Sequence, residues 1–137
     1  MTEIAFRGVR LQRGSTPVLQ GLDLEVTQGE TLALVGRSGA GKSTILKLIN
    51  RLLAPDAGEV VVRDRPVAGW DPFDLRRHIG YVLQEVGLFP HLSVRDNIAV
   101  VPRLLDWDES RIDRRVDELL ALVGLPAGEF AMRRPEN

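Results

Sequence analysis

The sequence predicts an α/β fold in two parts: antiparallel strands near the N-terminus, then a buried strand that runs through a glycine-rich loop into a helix. Three observations predict it. Apolar residues alternate with polar ones in the segments before residue 27, as in half-buried strands. The continuous apolar run Thr31-Leu32-Ala33-Leu34-Val35 suits a strand covered on both faces, and Gly36, Gly39 and Gly41 follow it. From Lys42 the apolar spacing becomes helical. The length, 137 residues, fits one domain, and 44% apolar with 27% charged residues is the composition of a packed globule.

The elements follow in order. Ile4, Phe6, Val9 and Leu11 point inward along the first strand after a slip at Gly8, and the stretch from Arg13 to Pro17 is a turn by composition. Leu22, Leu24 and Val26 make the second strand, and Gln28-Gly29-Glu30 breaks the chain before the run at 31–35. A helix is predicted over 42–53, with Ile45, Leu46, Leu48, Ile49, Leu52 and Leu53 on its apolar face and Pro55-Asp56-Ala57-Gly58 as its stop. Strands at 58–63 and 79–83 flank a short helix over 71–78. Ser93 and Asp96 have the spacing of a helix start, and Asp106 and Glu109 repeat it. Ile112, Val116, Leu119, Leu120 and Val123 then form one stripe, with Gly124 at the C-terminal cap. Residues 126–137 are polar and without period.

Composition excludes several classes. A formal net charge of -1 is wrong for a protein that binds nucleic acid through a wholly basic surface, so no nucleic-acid partner is expected. No cysteine is present, which removes disulfide frameworks and Cys-based zinc sites. No apolar run nears the roughly 20 residues of a membrane helix, and Glu3 and Arg7 argue against a signal peptide, so a cytosolic globule is expected. Of the 18 basic residues only Lys42 and Lys47 are lysines. Lysine at a given position therefore hints at a local need.

That need has a form. Gly36-Arg37-Ser38-Gly39-Ala40-Gly41-Lys42-Ser43 matches G-x-x-x-x-G-K-[ST] in full, between a predicted strand and a predicted helix, the context the motif requires. Glycines let successive N–H groups face one concavity, and the helix N-terminus adds its free N–H groups and partial positive charge. Lys42 is a slim point charge for the β- and γ-phosphates where a guanidinium fits poorly, and the Ser43 hydroxyl can coordinate Mg²⁺. A bare glycine turn would produce this match roughly once in a thousand such chains. The class is a P-loop NTPase. Neither Asp-x-x-Gly nor Asn-Lys-x-Asp of GTPases occurs, and small-molecule kinases stay open on the cradle alone. An apolar strand ending in a metal-binding Asp is missing: Arg63 interrupts the run into Asp64, which belongs to a turn, and Gln84 stands where the acid should be before Glu85.

The wider pattern resembles the ATP-binding subunit of ABC transporters. The approach Val18-Leu19-Gln20-Gly21-Leu22-Asp23-Leu24-Glu25-Val26, then Gly29-Glu30 and the loop through Thr44, is similar to that family's. So is Tyr81-Val82-Leu83-Gln84 followed by Gly87-Leu88-Phe89-Pro90-His91-Leu92-Ser93-Val94-Arg95-Asp96-Asn97-Ile98. The stretch from Asn97 to Trp107 further resembles importers of glycine betaine, choline or carnitine. The resemblance implies a RecA-like core plus an antiparallel β portion, with 1–92 as the core and 93–137 opening the helical subdomain. It implies ATP and Mg²⁺ as cofactors, held by Gly36, Arg37, Ser38, Gly39, Ala40, Gly41, Lys42, Ser43 and Thr44. Lys42 and Gln84 take catalytic roles, and Ser43 and Gln84 metal-contacting ones. The family stacks adenine on an aromatic residue in the first hairpin; alignment puts Arg13 there, as a stacking guanidinium or a plain turn residue.

The implied partners are transmembrane permease subunits, a second copy in a homodimer and, indirectly, an extracytoplasmic solute-binding protein. The implied location is cytoplasmic, peripheral on the inner face of the membrane. The family's Leu-Ser-Gly-Gly-Gln signature, Walker B acid, catalytic glutamate and switch histidine would lie beyond residue 137, so the expectation is a truncated fold that binds ATP without efficient hydrolysis. A non-catalytic nucleotide-binding fragment or paralogue, or an importer of another polar solute such as an amino acid, is the alternative. His78 and His91 are ordinary surface or loop residues in this reading. Missing sheet strands should leave Leu32, Leu34, Val82 and Leu83 uncovered and favour dimerisation or poor solubility.

Overall fold

A computed structural model describes residues 1–84 and 87–135. They form two compact units, Met1–Ile79 and Gly80–Asn137. The first holds β1 (Thr2–Arg13), β2 (Thr16–Thr27), α1 (Lys42–Ile49), β3 (Ala57–Val62), β4 (Arg65–Pro66), a 3₁₀ turn (Val67–Gly69) and α2 (Pro72–Arg77). The second holds α3 (Val94–Leu104), α4 (Glu109–Leu122) and α5 (Ala127–Phe130).

The strands pair antiparallel in the order β2-β1-β3-β4. The slip predicted at Gly8 is there: the β1–β2 register shifts between Phe6 and Val9, with Gly8 at φ 57° and its N–H donating to Asp23 Oδ1 at 2.7 Å. The bulge lets β3 approach unusually closely. A Cβ on Gly58 would lie 2.6 Å from the Arg7 carbonyl oxygen and closer still to that of Gly8, and Gly58 itself has φ 81°. Only glycine fits both the space and the dihedral. The sheet buries Phe6, Val9, Val60 and Val62 against Ile45 and Leu48 of α1 and Leu75 of α2. Arg63 and Asp64, at φ 50° and 58°, make the two-residue β3–β4 turn, so Asp64 is indeed a turn residue.

Helix α1 ends earlier than the apolar spacing predicts. It stops at Ile49, not residue 53, because Arg51 adopts φ 55° and the Leu52 N–H returns to the Lys47 carbonyl while the Arg51 N–H reaches that of Leu48. This is the Schellman arrangement with arginine in the place usually held by glycine. Two guanidinium groups secure it. Arg51 Nη1 donates to the Trp70 carbonyl at 2.5 Å, and Arg76 donates to the carbonyls of Asn50 and Arg51 at 3.0 and 2.7 Å. Helix α2 starts as predicted, with the Asp71 carboxylate accepting from the N–H groups of Phe73 and Asp74 and with Pro72 in its first turn.

The largest correction concerns the two strands predicted at 31–35 and 79–83. Neither is a strand: both segments are irregular, and among the described residues neither pairs with a neighbour. A strand needs at least one ladder partner, and a parallel one cover on both faces, and no local pattern supplies either. Leu32, Val35, Val82 and Leu83 are consequently exposed, Val35 and Val82 at 91% and 95%. Leu34 differs from expectation in being half-buried against the first unit's core.

In the second unit Ile112, Val116 and Leu120 of α4 bury against Ala99 of α3. Leu119 is half-buried and Val123 exposed, so the working stripe is narrower than the sequence suggests. Gly124, at φ 74°, closes α4 with its own Schellman pair: Leu125 N–H to the Leu120 carbonyl and Gly124 N–H to that of Ala121. Ser93 caps α3 by accepting from the Asp96 N–H, as predicted, but the cap of α4 is Asp108 rather than Asp106. Asp106 instead occupies the tight bend before it, at φ 54°. The tail predicted to be without period holds α5, after which the carbonyls of Ala131 and Arg133 accept from the N–H groups of Arg95 and Val94 at 2.8 Å each. No helix among the described residues is long and apolar enough to cross a membrane.

Candidate functional site

The glycine-rich loop lies between the irregular segment ending at Gly36 and the first turn of α1. Gly39 and Gly41 take φ 84° and 88°, the left-handed region that side chains resist. Gly36 is needed for closeness instead, since a Cβ there would sit 3.3 Å from the Ala40 Cβ. The Ala40 N–H donates to the Arg37 carbonyl at 3.2 Å and tightens the loop. Gly41 is the N-cap of α1 and offers no side-chain cap; it is buried where a Cβ would touch Val18 and Leu19 of β2. The sheet thus sets the height of the helix start.

The first intrahelical bond of α1 is Ile45 N–H to Gly41 carbonyl, at 2.9 Å. The N–H groups of Lys42, Ser43 and Thr44 precede it and have no acceptor within the helix. The first turn carries no acidic residue that would neutralise them. Lys42 Nζ donates to the carbonyls of Gly36 and Arg37 at 2.8 and 2.9 Å, which folds its stem back over the loop. An ammonium has three donors, so one remains to be offered outward. Arg37, Ser38, Ala40 and Ser43 are exposed and Thr44 is half-buried. Donor N–H groups, one ammonium and two accessible hydroxyls make a donor set that suits a polyanion and repels a cation. Ser43 offers an exposed hydroxyl, but among the described residues no three His, Cys, Asp or Glu side chains converge.

Arg13 closes β1 opposite Thr16 across the hairpin, and its side chain is exposed. Thr16 stands two residues from Val18, or about 7 Å along β2, and Val18 lies beside Gly41. Arg13 is therefore carried by the same strand pair that supports the cradle. Gln84 is exposed at the end of the unpaired segment in the second unit. Glu85 lies outside the described residues. His78 ends α2, with Nδ1 2.7 Å from the Asp74 carbonyl, and His91 meets Phe89 edge to face at 6.0 Å. Both histidines have local structural roles.

Charges outside the loop act on the scaffold. Glu30 accepts from the Thr27 N–H and hydroxyl at 2.8 and 3.0 Å, which holds its carboxyl below the usual range and fixes the bend before residue 31. In the second unit Arg95 bridges Glu109 and Asp113, and Arg103 bridges Glu109 and Asp96. Hydrogen bonds from Ser93 and Arg103 depress Asp96, and those from Arg95 and Arg103 depress Glu109. Sequence reading missed the Asn97 side chain, which ties the 89–93 loop to α3, and the Arg76 latch behind α1; neither has a signal in residue spacing.

A family profile described as ABC transporter matches residues 19–136. The chain belongs to the ABC transporter family. Its predicted fold class stands with it. This ABC chain is 45% identical over 116 residues to the osmoprotectant import ATP-binding protein OsmV of Salmonella typhimurium, covering 85% of the chain and 30% of that protein. It is 43% identical over 123 residues to the carnitine transport ATP-binding protein OpuCA of Listeria monocytogenes, covering 90% and 31%. The glycine betaine uptake system ATP-binding protein YehX of Escherichia coli is 45% identical over 122 residues, covering 89% and 40%. The chain thus spans about a third of the length of the curated relatives it matches. Among solved structures, the ATP-binding cassette MJ0796, a post-hydrolysis dimer bound to ADP and Pi, superposes with a TM-score of 0.79 at 26% identity, covering 97% of this chain and 62% of that one. The structure of cbiO1 from Clostridium perfringens, part of the ABC transporter complex cbiONQ, gives 0.83 at 25% identity, covering 97% and 54%.

Proposed function

We propose that this chain serves in the ATP-binding subunit of an ABC importer, coupling MgATP binding and hydrolysis to uptake of an osmoprotectant or quaternary amine. The observation that carries the reading is the cradle itself: two left-handed glycines, unpaired first-turn N–H groups and a lysine folded over the loop. Residues 36–44 hold the triphosphate, with Lys42 exchanging its loop carbonyls for phosphate oxygens. Ser43 supplies a hydroxyl to Mg²⁺, and Gln84 takes the catalytic and metal-contacting role that the family resemblance implies. Bound Mg²⁺ would neutralise phosphate charge and orient the terminal group. Arg13 lies flat against the adenine. The named relatives support the solute class, because three of them act on osmoprotectants, carnitine or glycine betaine.

In this proposal the subunit sits on the cytoplasmic face of the membrane against its permease subunits, closes on a second copy, and meets the solute-binding protein only through the permease. The 137-residue polypeptide alone binds MgATP and releases phosphate very slowly, since no clustered acid stands by its cradle among the described residues. Calorimetry with MgATP and a phosphate-release assay on the purified chain test this. Saturable binding with negligible turnover agrees with it; robust turnover abolished by Lys42→Ala would overturn the slow-turnover claim, and no binding at all would overturn the reading.

A further inference from the structure

The sheet beside the first hairpin is completed by a side chain rather than by a strand. Pairing between β1 and β3 ends where Arg10 faces Ala57. Gln12, two residues further along β1, turns its backbone groups to the same side, since they alternate along a strand. No β3 residue stands opposite it. Asp56, just ahead of β3, fills the place. Its N–H donates to the Arg10 carbonyl at 2.9 Å, and its carboxylate accepts from the Gln12 N–H at 2.6 Å. The first bond adds one backbone rung to the ladder. The second puts a charged oxygen where the next strand carbonyl would be, and such a bond is shorter and stronger than a neutral one. Across the hairpin Gln12 faces Pro17, which has no N–H to give, and the β1–β2 register shifts between Leu11 and Gln12.

The backbone that carries Asp56 is held on both sides. Five residues earlier Arg51 closes α1 in the left-handed region, in a turn secured by its own guanidinium and by that of Arg76. Two residues later Gly58 lies against the Arg7 and Gly8 carbonyls. The connection over 51–58 thus runs from the far end of the cradle helix to the residue before Arg13, the exposed side chain proposed to lie against adenine. Among the described residues the hydrogen bonds of Asp56 go to β1 and none to residues 36–44.

We infer that Asp56 is a positioning residue for the nucleotide base: by gripping Gln12 it sets where Arg13 stands relative to the phosphate cradle. This rests on the proposed adenine contact of Arg13 and adds the carboxylate that aims it.

Magnesium tripolyphosphate carries the phosphates without a base, so comparing its affinity with that of MgATP separates the two ends of the site in the 137-residue chain. Wild type prefers MgATP about two- to fivefold, the size of one exposed cation–π contact. Asp56→Ala abolishes that preference and leaves tripolyphosphate affinity unchanged. Asp56→Asn, whose amide oxygen can still accept, keeps it. In an Arg13→Ala background Asp56→Ala changes nothing further, because both act through one contact. Amide exchange at Gln12 speeds up about tenfold in Asp56→Ala, in step with the lost hydrogen bond. Unchanged exchange at Gln12 overturns the positioning role. So does a preference that survives Asp56→Ala, an equal loss for both ligands, or losses from Asp56→Ala and Arg13→Ala that add. Wild-type chain with no preference fails at an earlier step: it refutes the adenine contact of Arg13, and the role of Asp56 falls with it.

Discussion

Removing the lysine ammonium gives the sharpest test of the cradle. In Lys42→Ala the loop loses donations to the Gly36 and Arg37 carbonyls at 2.8 and 2.9 Å, and the helix start loses its one full positive charge. A unit charge about 4 Å from a phosphate oxygen is worth about 4 kcal/mol at an effective dielectric of ~20. The site is open, so solvent and salt leave roughly half, or about 2 kcal/mol, which is about a thirtyfold rise in Kd. Lys42→Arg should fare little better, because a planar guanidinium cannot cap two carbonyls and still reach a ligand along one stem. The assay is calorimetric titration with MgATP at two salt concentrations. Wild-type affinity should fall with salt more steeply than that of Lys42→Ala. Thermal unfolding without nucleotide should shift by only a few degrees, since exposed hydrogen bonds contribute about 1 kcal/mol or less each. If Lys42→Ala binds within twofold of wild type, the backbone N–H groups alone hold the ligand and the argument from the ammonium fails.

Three further outcomes follow from the same geometry. Gly58→Ala should cost about 3 kcal/mol or more, visible in chemical denaturation, because the new Cβ meets the Arg7 and Gly8 carbonyls and φ stays left-handed; a loss under ~1 kcal/mol would show that the β1–β3 approach can relax. Arg13→Ala should weaken MgATP binding several-fold with stability unchanged, and equal affinity would reject the stacking role. Asp96, Asp108 and Glu109 all titrate below their usual values, so their folded-state pKa values lie below the unfolded ones. The stability they contribute is full only above their ordinary values of 3.8 for the aspartates and 4.5 for Glu109, and it is lost as pH falls through the depressed folded-state values. Circular dichroism should therefore show helix loss in acid that is smaller in Asp108→Asn, whose cap no longer titrates; identical acid profiles would refute that assignment.

The sequence was most informative where a feature is decided within a few residues. The Gly8 slip, the Ser93 cap and the Gly124 stop are local events of dihedral and hydrogen bonding, and each stands where spacing put it. The loop of 36–41 was legible for the same reason. The runs at 31–35 and 79–83 failed for the opposite one: their apolar character states what the segments would bury, and burial depends on ladder neighbours far along a chain. The end of α1 misled because Leu52 and Leu53 continue a helical pattern after Arg51 has already turned the backbone. Asp106 and Asp108 were indistinguishable by composition; the choice fell to Asp108 because its carboxylate meets the Arg111 N–H at 2.9 Å. Asn97 could not have been singled out, since one polar residue early in a helix is usually a solvated one.

The two arginines behind α1 bear on how force leaves the cradle. The helix has eight residues, so its ends stand only about 12 Å apart. A ligand that tugs the front turn pulls on a short rod whose far tip is bolted by Arg76 to α2 and by Arg51 to the Trp70 carbonyl. Such a rod has no slack to absorb the pull by fraying. The front of the rod is seated as well, with Gly41 against Val18 and Leu19 of β2.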